Sequence, residues 1–296
     1  MFLPKEIESK IRYPLFLSFT ERNQLKSIIS RSLPQTIPLS LNLGISRDNV
    51  TISPDKKILL VEDKIPLPPE EMLSSDLRTI LKYDGQCWSK WQHFDDGNQK
   101  FYKMIFINEK KPPTVEISGI KMHITRNGDP AQDTQNKIMQ FRHLEGKILD
   151  TCTGLGYTAI AAAKFPEVNQ IYTCEADINM FRLCQENPWS RELFHHEKIQ
   201  LILAPVQNLV QKLPDNNIDY IIHDPPRFAL AGELYSENFY RNLYRILKTN
   251  GEIYHYTGDP NKRSRRLPLK KEIKKLFDRL GFSKTRQVYF GIWAKK

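Results

Sequence analysis

Two short segments combine residue types that do chemistry. Lys147 to Ala163 reads Lys-Ile-Leu-Asp-Thr-Cys-Thr-Gly-Leu-Gly-Tyr-Thr-Ala-Ile-Ala-Ala-Ala. Further on, Ile221 to Arg227 reads Ile-Ile-His-Asp-Pro-Pro-Arg. The first is a buried strand that ends on an acid, turns through glycines and enters a small-residue helix. The second is a buried strand that ends on an acid and two prolines. Together they predict a nucleotide-type cofactor site with a second site beside it.

In the first segment Gly154 and Gly156 permit a tight turn and close approach of the backbone to a ligand. Gly154, Gly156 and Ala159 fit the dinucleotide pattern G-x-G-x-x-A, and Glu175 follows at the spacing of a ribose-binding acid. An NAD-linked oxidoreductase is therefore open at this point, although no hydride-transfer residues are evident. Two features weigh against it. Asp150 stands at the strand end before the glycines, where an acid reaches an amino group rather than a pyrophosphate. The run Asp150-Thr151-Cys152-Thr153 offers no phosphate cradle beyond the helix N-terminus.

In the second segment Ile218 to His223 is an apolar strand, Asp219 and His223 aside, as a central parallel strand should be. Asp224 ends it at the carboxyl edge of the sheet, where open α/β folds bind ligands. Pro225 and Pro226 fix the backbone and remove two donors, which leaves local carbonyls to accept hydrogen bonds beside the carboxylate. His223 is a candidate proton acceptor, although a histidine at the end of a buried strand is more often a satisfied core residue.

The first segment resembles the opening motif of the class I S-adenosylmethionine (SAM) dependent methyltransferases, D/E-x-G-x-G-x-G. Asp150, Gly154 and Gly156 match it, and Cys152 stands where the first glycine belongs. The resemblance implies that Asp150, Thr151, Cys152, Gly154 and Gly156 hold the methionine part of SAM and that Glu175, ending the second strand, binds the ribose hydroxyls. Relatives often carry Gly-Asp-Ala after the third strand; here Ala204-Pro205-Val206-Gln207 follows, so Gln207 is the candidate for the adenine. The second segment resembles the D/N-P-P-Y/F motif of amino-group methyltransferases. Asp224 and Pro225 would bind the target nitrogen there. Arg227 takes the aromatic position, with Phe228 one residue later, so Arg227 is expected to meet a phosphate or carboxylate or to stack by its guanidinium plane.

Residues 129 to 260, with Asn187-Pro188-Trp189-Ser190 and Asp224 to Tyr235, also look like a group of predicted archaeal-type methyltransferases. The stretch Leu234 to Gly251 is similar to a segment of the spermidine synthases. That keeps open aminopropyl transfer from decarboxylated SAM, and Cys152 with the missing adenine acid keeps open a non-enzymatic SAM-binding module. Methyl transfer to carbon would need a nucleophilic Cys beside Asp224. The four cysteines, Cys87, Cys152, Cys174 and Cys184, fall elsewhere and form no C-x-x-C pair, so zinc and redox motifs are not expected. Free thiols and the absence of a secretory segment predict a reducing cytoplasm. No apolar run is long enough to span a bilayer.

These segments need a scaffold. The expected fold is α/β: a Rossmann-like, mostly parallel class I methyltransferase sheet over 116–296, closed by an antiparallel hairpin, with a smaller β-rich domain over 1–115. The expected elements include a helix over 133–141, strands ending at Asp150, Glu175, Leu203 and His223, and a helix capped by Ser236 that ends at Asn250-Gly251. A strand over 252–256, a helix over 269–280 and a hairpin over 283–296 follow. In the N-terminal part strands are expected over 39–45, 50–53 and 57–61, a hairpin from 88–93 and 100–107, and a linker over 109–113.

Charge adds a partner. The chain carries a formal +10, and from residue 261 onward thirteen Lys and Arg face two acids. The excess thus sits in the C-terminal 36 residues. Part of it is the solvated face of the last helix. Lys262, Arg263, Arg265 and Arg266 follow the fifth strand and should emerge at the Asp224 edge, where a basic loop over 262–275 suits RNA. The sequence therefore points to a SAM-dependent methyltransferase acting on an RNA base amino group, with no metal.

Overall fold

The computed structural model describes residues 14–29, 34–59, 64–74, 76–228, 230–258 and 269–296. The chain divides into two units: among the described residues, one takes 132–185 and 190–296, and the other runs to Ala131 and includes Glu186–Trp189.

The second of these is β-rich. It holds a four-stranded antiparallel sheet of Gln35–Leu39, Asp48–Ile52, Lys57–Leu59 and Lys64–Pro66. A further four-stranded sheet contains Gln92–Asp95, Lys100–Ile105, Thr114–Ile117 and Ile120–Lys121. Its one long helix, Phe19–Ile28, starts on a capping box in which Ser18 and Glu21 satisfy each other's end of the first turn. Residues 39–45 do not form the expected strand. Ser40 and Asn42 side chains accept the Gly44 and Ser46 N–H groups at 2.7 and 2.9 Å, so local bonds outcompete a sheet ladder. Thr114–Ile117, just past the expected linker, pairs back onto Lys100–Ile105.

The other unit, with helix α1 (Pro130–Ile138) leading into it, carries the α/β fold. In chain order the elements are β1 (Gly146–Asp150), α2 (Tyr157–Ala163), β2 (Val168–Glu175), α3 (Ile178–Glu186), β3 (Ile199–Leu203), α4 (Val206–Val210) and β4 (Ile218–His223). After them come α5 (Glu237–Ile246), β5 (Leu247–Tyr256), α6 (Leu269–Leu280), β6 (Lys284–Val288) and β7 (Gly291–Lys295). The sheet order is β3-β2-β1-β4-β5-β7-β6; the first five strands are parallel, and β7 pairs antiparallel with both β5 and β6. Strand order reverses between β1 and β4, which makes their carboxyl ends the binding crevice of an open α/β sheet.

Residue types account for this layout. Leu149, Ile221, Ile253 and Ile292, all fully buried or nearly so, join Phe239, Leu243 and Phe277 in one core. The small residues Ala159, Ala162 and Ala163 let α2 lie close on the sheet. Ser236 caps α5 by accepting the Phe239 N–H at 3.2 Å. That helix stops at Ile246, short of Asn250-Gly251, because buried Leu247 already pairs with Ile218 and begins β5. Gly251 is needed within β5, where a Cβ would come within 2.9 Å of the Asp219 carbonyl.

Candidate functional site

Register brings the chemistry-bearing residues together. Asp150 pairs with Thr173 on one side and with Ile222 on the other, and His223 pairs with His255. The ends of β1, β2, β4 and β5 therefore lie along one edge.

At the end of β1 the Asp150 side chain is completely buried. Its Oδ2 accepts hydrogen bonds from Thr173 Oγ1 at 2.9 Å and Thr158 Oγ1 at 3.1 Å, while Oδ1 has no hydrogen-bond partner. Burial pushes this carboxyl up to about 7, against the pull of the two hydroxyls. Next to it the backbone turns through Gly154 at φ 55° and Gly156 at φ 78°, a region that costs other residues strain.

Glu175 closes the turn from the adjacent strand. Its Oε2 accepts the Gly154 N–H at 3.0 Å, and its Oε1 accepts the Asp177 N–H at 2.9 Å. Burial raises this carboxyl to about 7, opposed by those two N–H groups. Cys184 adds a second tie, its thiol donating to the Gly154 carbonyl at 2.9 Å. Cys152 is half-buried, and burial holds its thiol well above its ordinary pKa, so the sulfur is neutral and no nucleophile. Gln207 opens the first turn of α4, half-buried, with no side-chain hydrogen bond among the described residues.

At the end of β4 four further residues join the site: Lys137, Asp133, Tyr235 and Tyr256. His223 is fully buried. Its Nε2 lies 3.1 Å from the Leu234 carbonyl, which only accepts, so Nε2 carries the proton and Nδ1 accepts the Thr151 hydroxyl at 2.8 Å. Both nitrogens are occupied, and burial, with His255 beside it, holds the His223 pKa well below the usual value, so the ring is neutral. Asp224 is not a bare carboxylate. Its Oδ2 pairs with Lys137 Nζ at 2.5 Å, and the same ammonium pairs with Asp133 at 2.9 Å. The Lys137 ammonium also lies over the Tyr256 ring, 4.7 Å from its centroid. Lys137 and Asp133 are buried at 3% and 2% exposure, whereas the Asp224 side chain is 22% exposed.

Of the two proline carbonyls, that of Pro226 is taken by the Tyr235 hydroxyl at 2.8 Å, while Pro225 accepts no hydrogen bond among the described residues. Arg227 is exposed and its side chain makes no ion pair among the described residues. Phe228 is 53% exposed and rests edge-on against Tyr235, ring centroids 5.4 Å apart. Arg263, Arg265 and Arg266 lie outside the described residues. Among the described residues no group of three His, Cys, Asp or Glu side chains is placed to hold a metal, and no helix is long and apolar enough to cross a membrane.

Lys137, Asp133, Tyr235 and Tyr256 escaped the sequence reading. Asp133 and Lys137 stand four residues apart on a helix, the signature of an ordinary surface pair.

A seven-stranded, mostly parallel sheet with an acid-ended glycine turn at its switch point defines a class I methyltransferase. Residues 130–289 match the family of the methyltransferase small domain. The chain belongs to that family, and its cofactor is SAM. An uncharacterized protein of Methanocaldococcus jannaschii is 36% identical over 290 residues, covering 95% of each chain. Among solved structures, a spermidine synthase in complex with the transition-state analogue AdoDATO is similar at a TM-score of 0.56 and 21% identity, over 69% of this chain and 71% of that one. The Thermotoga maritima spermidine synthase is similar at 0.53 and 19%, over 72% and 75%. At these identities the likeness to both is one of fold.

The residues present fit SAM. A buried carboxylate oxygen of Asp150 is left without a partner at a turn that admits close backbone approach, which suits an amino donor. Glu175, locked in place by two N–H groups, keeps lone pairs for ribose hydroxyls.

Proposed function

We propose that the chain methylates an amino nitrogen of an RNA base, as an archaeal-type methyltransferase with Asp224-Pro225-Pro226-Arg227 as its acceptor motif, in a reducing cytoplasm. The observation that carries this reading is the juxtaposition at Asp224. Among the described residues, a carboxylate with one oxygen free of hydrogen bonds stands beside a free proline carbonyl, next to an exposed Phe228 and an Arg227 without an ion pair. Two acceptors suit the two N–H bonds of an amino group, the aromatic ring suits a base face, and the arginine suits a phosphate.

When bound, SAM supplies a methyl group on a sulfonium that leaves as a neutral thioether. The residues of the chain have then only to align the acceptor, whose released proton would pass to the Asp224 carboxylate or to solvent. Asp224 and Pro225 would hold the nitrogen through its hydrogens, which leaves the lone pair to face the methyl group. Asp150, Thr151, Cys152, Gly154, Gly156, Glu175 and Gln207 would hold the cofactor. The four thiols, all free, suit a reducing compartment.

Aminopropyl transfer from decarboxylated SAM is the second reading, favoured by the likeness to two spermidine synthases. Calorimetry with SAM, decarboxylated SAM and NAD separates the cofactors, and preferential binding of decarboxylated SAM or NAD would overturn the proposal. Tritiated-methyl transfer to total RNA, to protein and to small-molecule extracts then tests the substrate. Label confined to protein or small molecules would remove RNA.

A further inference from the structure

Behind Asp224 lies a buried cluster of charged and aromatic side chains. Lys137 Nζ is enclosed by Asp224 Oδ2, Asp133 Oδ2 and the Tyr256 ring, and Tyr289 completes the surround by donating its hydroxyl to Asp133 Oδ1 at 3.0 Å. Two carboxylates and an aromatic face are what a protein uses to bind an alkylammonium ion. Here the chain fills that cage with its own side chain. Burial alone would lower the Lys137 pKa, yet Asp224 and Asp133 hold it above its ordinary value, so the ammonium stays charged.

The geometry leads us to infer that Lys137 is a resident ammonium that excludes cationic amines from the acceptor site and selects an uncharged amino nitrogen. This deepens the reading above, because it rests on Asp224 being the acceptor-binding acid. Asp224 already shares its charge with Lys137 through Oδ2, and among the described residues Oδ1 is left open to an incoming N–H. A second ammonium on that oxygen would share Asp224 with Lys137, and like-charge repulsion between the two weakens its binding by roughly a hundredfold relative to the same site without Lys137. A neutral amino group, such as the exocyclic nitrogen of a base, meets no such penalty. It also needs no prior deprotonation before its lone pair attacks, whereas an aliphatic amine is protonated at neutral pH.

The test uses the full chain with amine probes. Lys137→Ala removes three carbons and the nitrogen, the equivalent of n-propylammonium. Titration calorimetry should show n-propylammonium binding to Lys137→Ala and raising its melting temperature, with no binding to the wild type. The binding should vanish in Lys137→Ala/Asp224→Asn. Lys137→Met keeps the volume and removes the charge, so it serves where the alanine variant does not fold; putrescine should bind it at least roughly tenfold more tightly than the wild type. Equal binding of amines to wild type and variants would overturn the inference, as would wild-type methylation of putrescine. The RNA reading stands or falls separately: a wild type that labels no RNA, with the amine results as expected, ends that reading and leaves the cage.

Discussion

The Thr151 hydroxyl donates to His223 Nδ1 across 2.8 Å, which ties the turn after β1 to the end of β4. The same ring donates from Nε2 to Leu234 at 3.1 Å, and Tyr235, the next residue, holds the Pro226 carbonyl at 2.8 Å. His223 thus joins the turn after β1 to the loop after β4. His223→Ala leaves a cavity and two unsatisfied buried groups, Thr151 and the Leu234 carbonyl. The expected loss is about 3 kcal/mol in a denaturant melt. His223→Asn, which can still offer a donor and an acceptor, should recover part of it.

Gly156 is a tight point of the turn after β1. At φ 78° a Cβ would lie 2.8 and 2.9 Å from the two terminal carbons of Leu193, on the short helix Glu192–His195. Gly156→Ala should destabilise by about 2 kcal/mol through strain and overpacking together. Adding Leu193→Ala relieves the clash but not the backbone strain, so the double variant should fall less than the sum of the two singles. Denaturant melts of the four proteins check this.

Much of this site was legible because Asp150, Glu175 and Asp224 close hydrophobic strands, and strand ends in a parallel sheet share an edge. The turn chemistry of Gly154 and Gly156 was legible for the same local reason. Two kinds of information were not. The pairing of the Gly154 N–H with Glu175 is tertiary, and nothing in either segment announces it. Lys137 was hidden because the α1 pattern Asp133-x-x-x-Lys137 is the same on a solvated surface as in a core. Residues 39–45 misled because their apolar alternation competes with the local hydrogen bonds of Ser40 and Asn42.

The pH dependence of SAM binding should carry the signature of Asp150 and Glu175. Both carboxyls are raised to about 7 by burial, so the free protein holds protons there below neutrality. A cationic amino group binds the ionised form of Asp150. Affinity should therefore fall as pH drops below 7, by up to about tenfold per unit for each proton displaced. Stability runs the other way. A folded pKa above the unfolded one favours the native state below pH 4, and that advantage is lost as pH rises to 7. Asp150→Asn abolishes the term. At pH 8 the ligand-free variant should be more stable than the wild type by about 3 kcal/mol, a gap that closes on titration down to pH 4. The same variant should bind SAM more weakly and with a flatter pH profile in calorimetry.

Asp224→Ala separates the two halves of the site. Asp224 shares no hydrogen bond with Glu175 or the glycine turn among the described residues and reaches Asp150 only through its charge, so the variant should keep SAM affinity within a few-fold. It strips Lys137 of one of its two carboxylates, and Asp133 at 2.9 Å remains to hold the ammonium. A stability loss of about 2 kcal/mol is expected from breaking part of a buried ion cluster. Methyl transfer should fall by at least about a hundredfold, since acceptor alignment goes with the carboxylate. Asp224→Asn, which has one acceptor oxygen, should lie between. Unchanged turnover in Asp224→Ala would remove the acceptor role.

Arg227 and Phe228 give the most direct reading of the acceptor, because both side chains are exposed, Phe228 touching the fold edge-on against Tyr235. Arg227 is exposed without an ion pair among the described residues, and Phe228 is 53% exposed. Alanine at either position should leave the denaturation midpoint and SAM affinity unchanged, so any loss of activity reports on the acceptor. If Arg227 meets a phosphate, Arg227→Ala should weaken RNA binding uniformly across sequences and reduce the slope of log affinity against log salt by about 1. If Phe228 stacks on the target base, Phe228→Ala should cost about 1–3 kcal/mol in binding with no change in that slope, and Phe228→Tyr should restore it. Filter binding at several salt concentrations, with KM and kcat measured on the same RNA, distinguishes the two contributions. A salt slope that Arg227→Ala leaves untouched would mean that phosphates are met elsewhere.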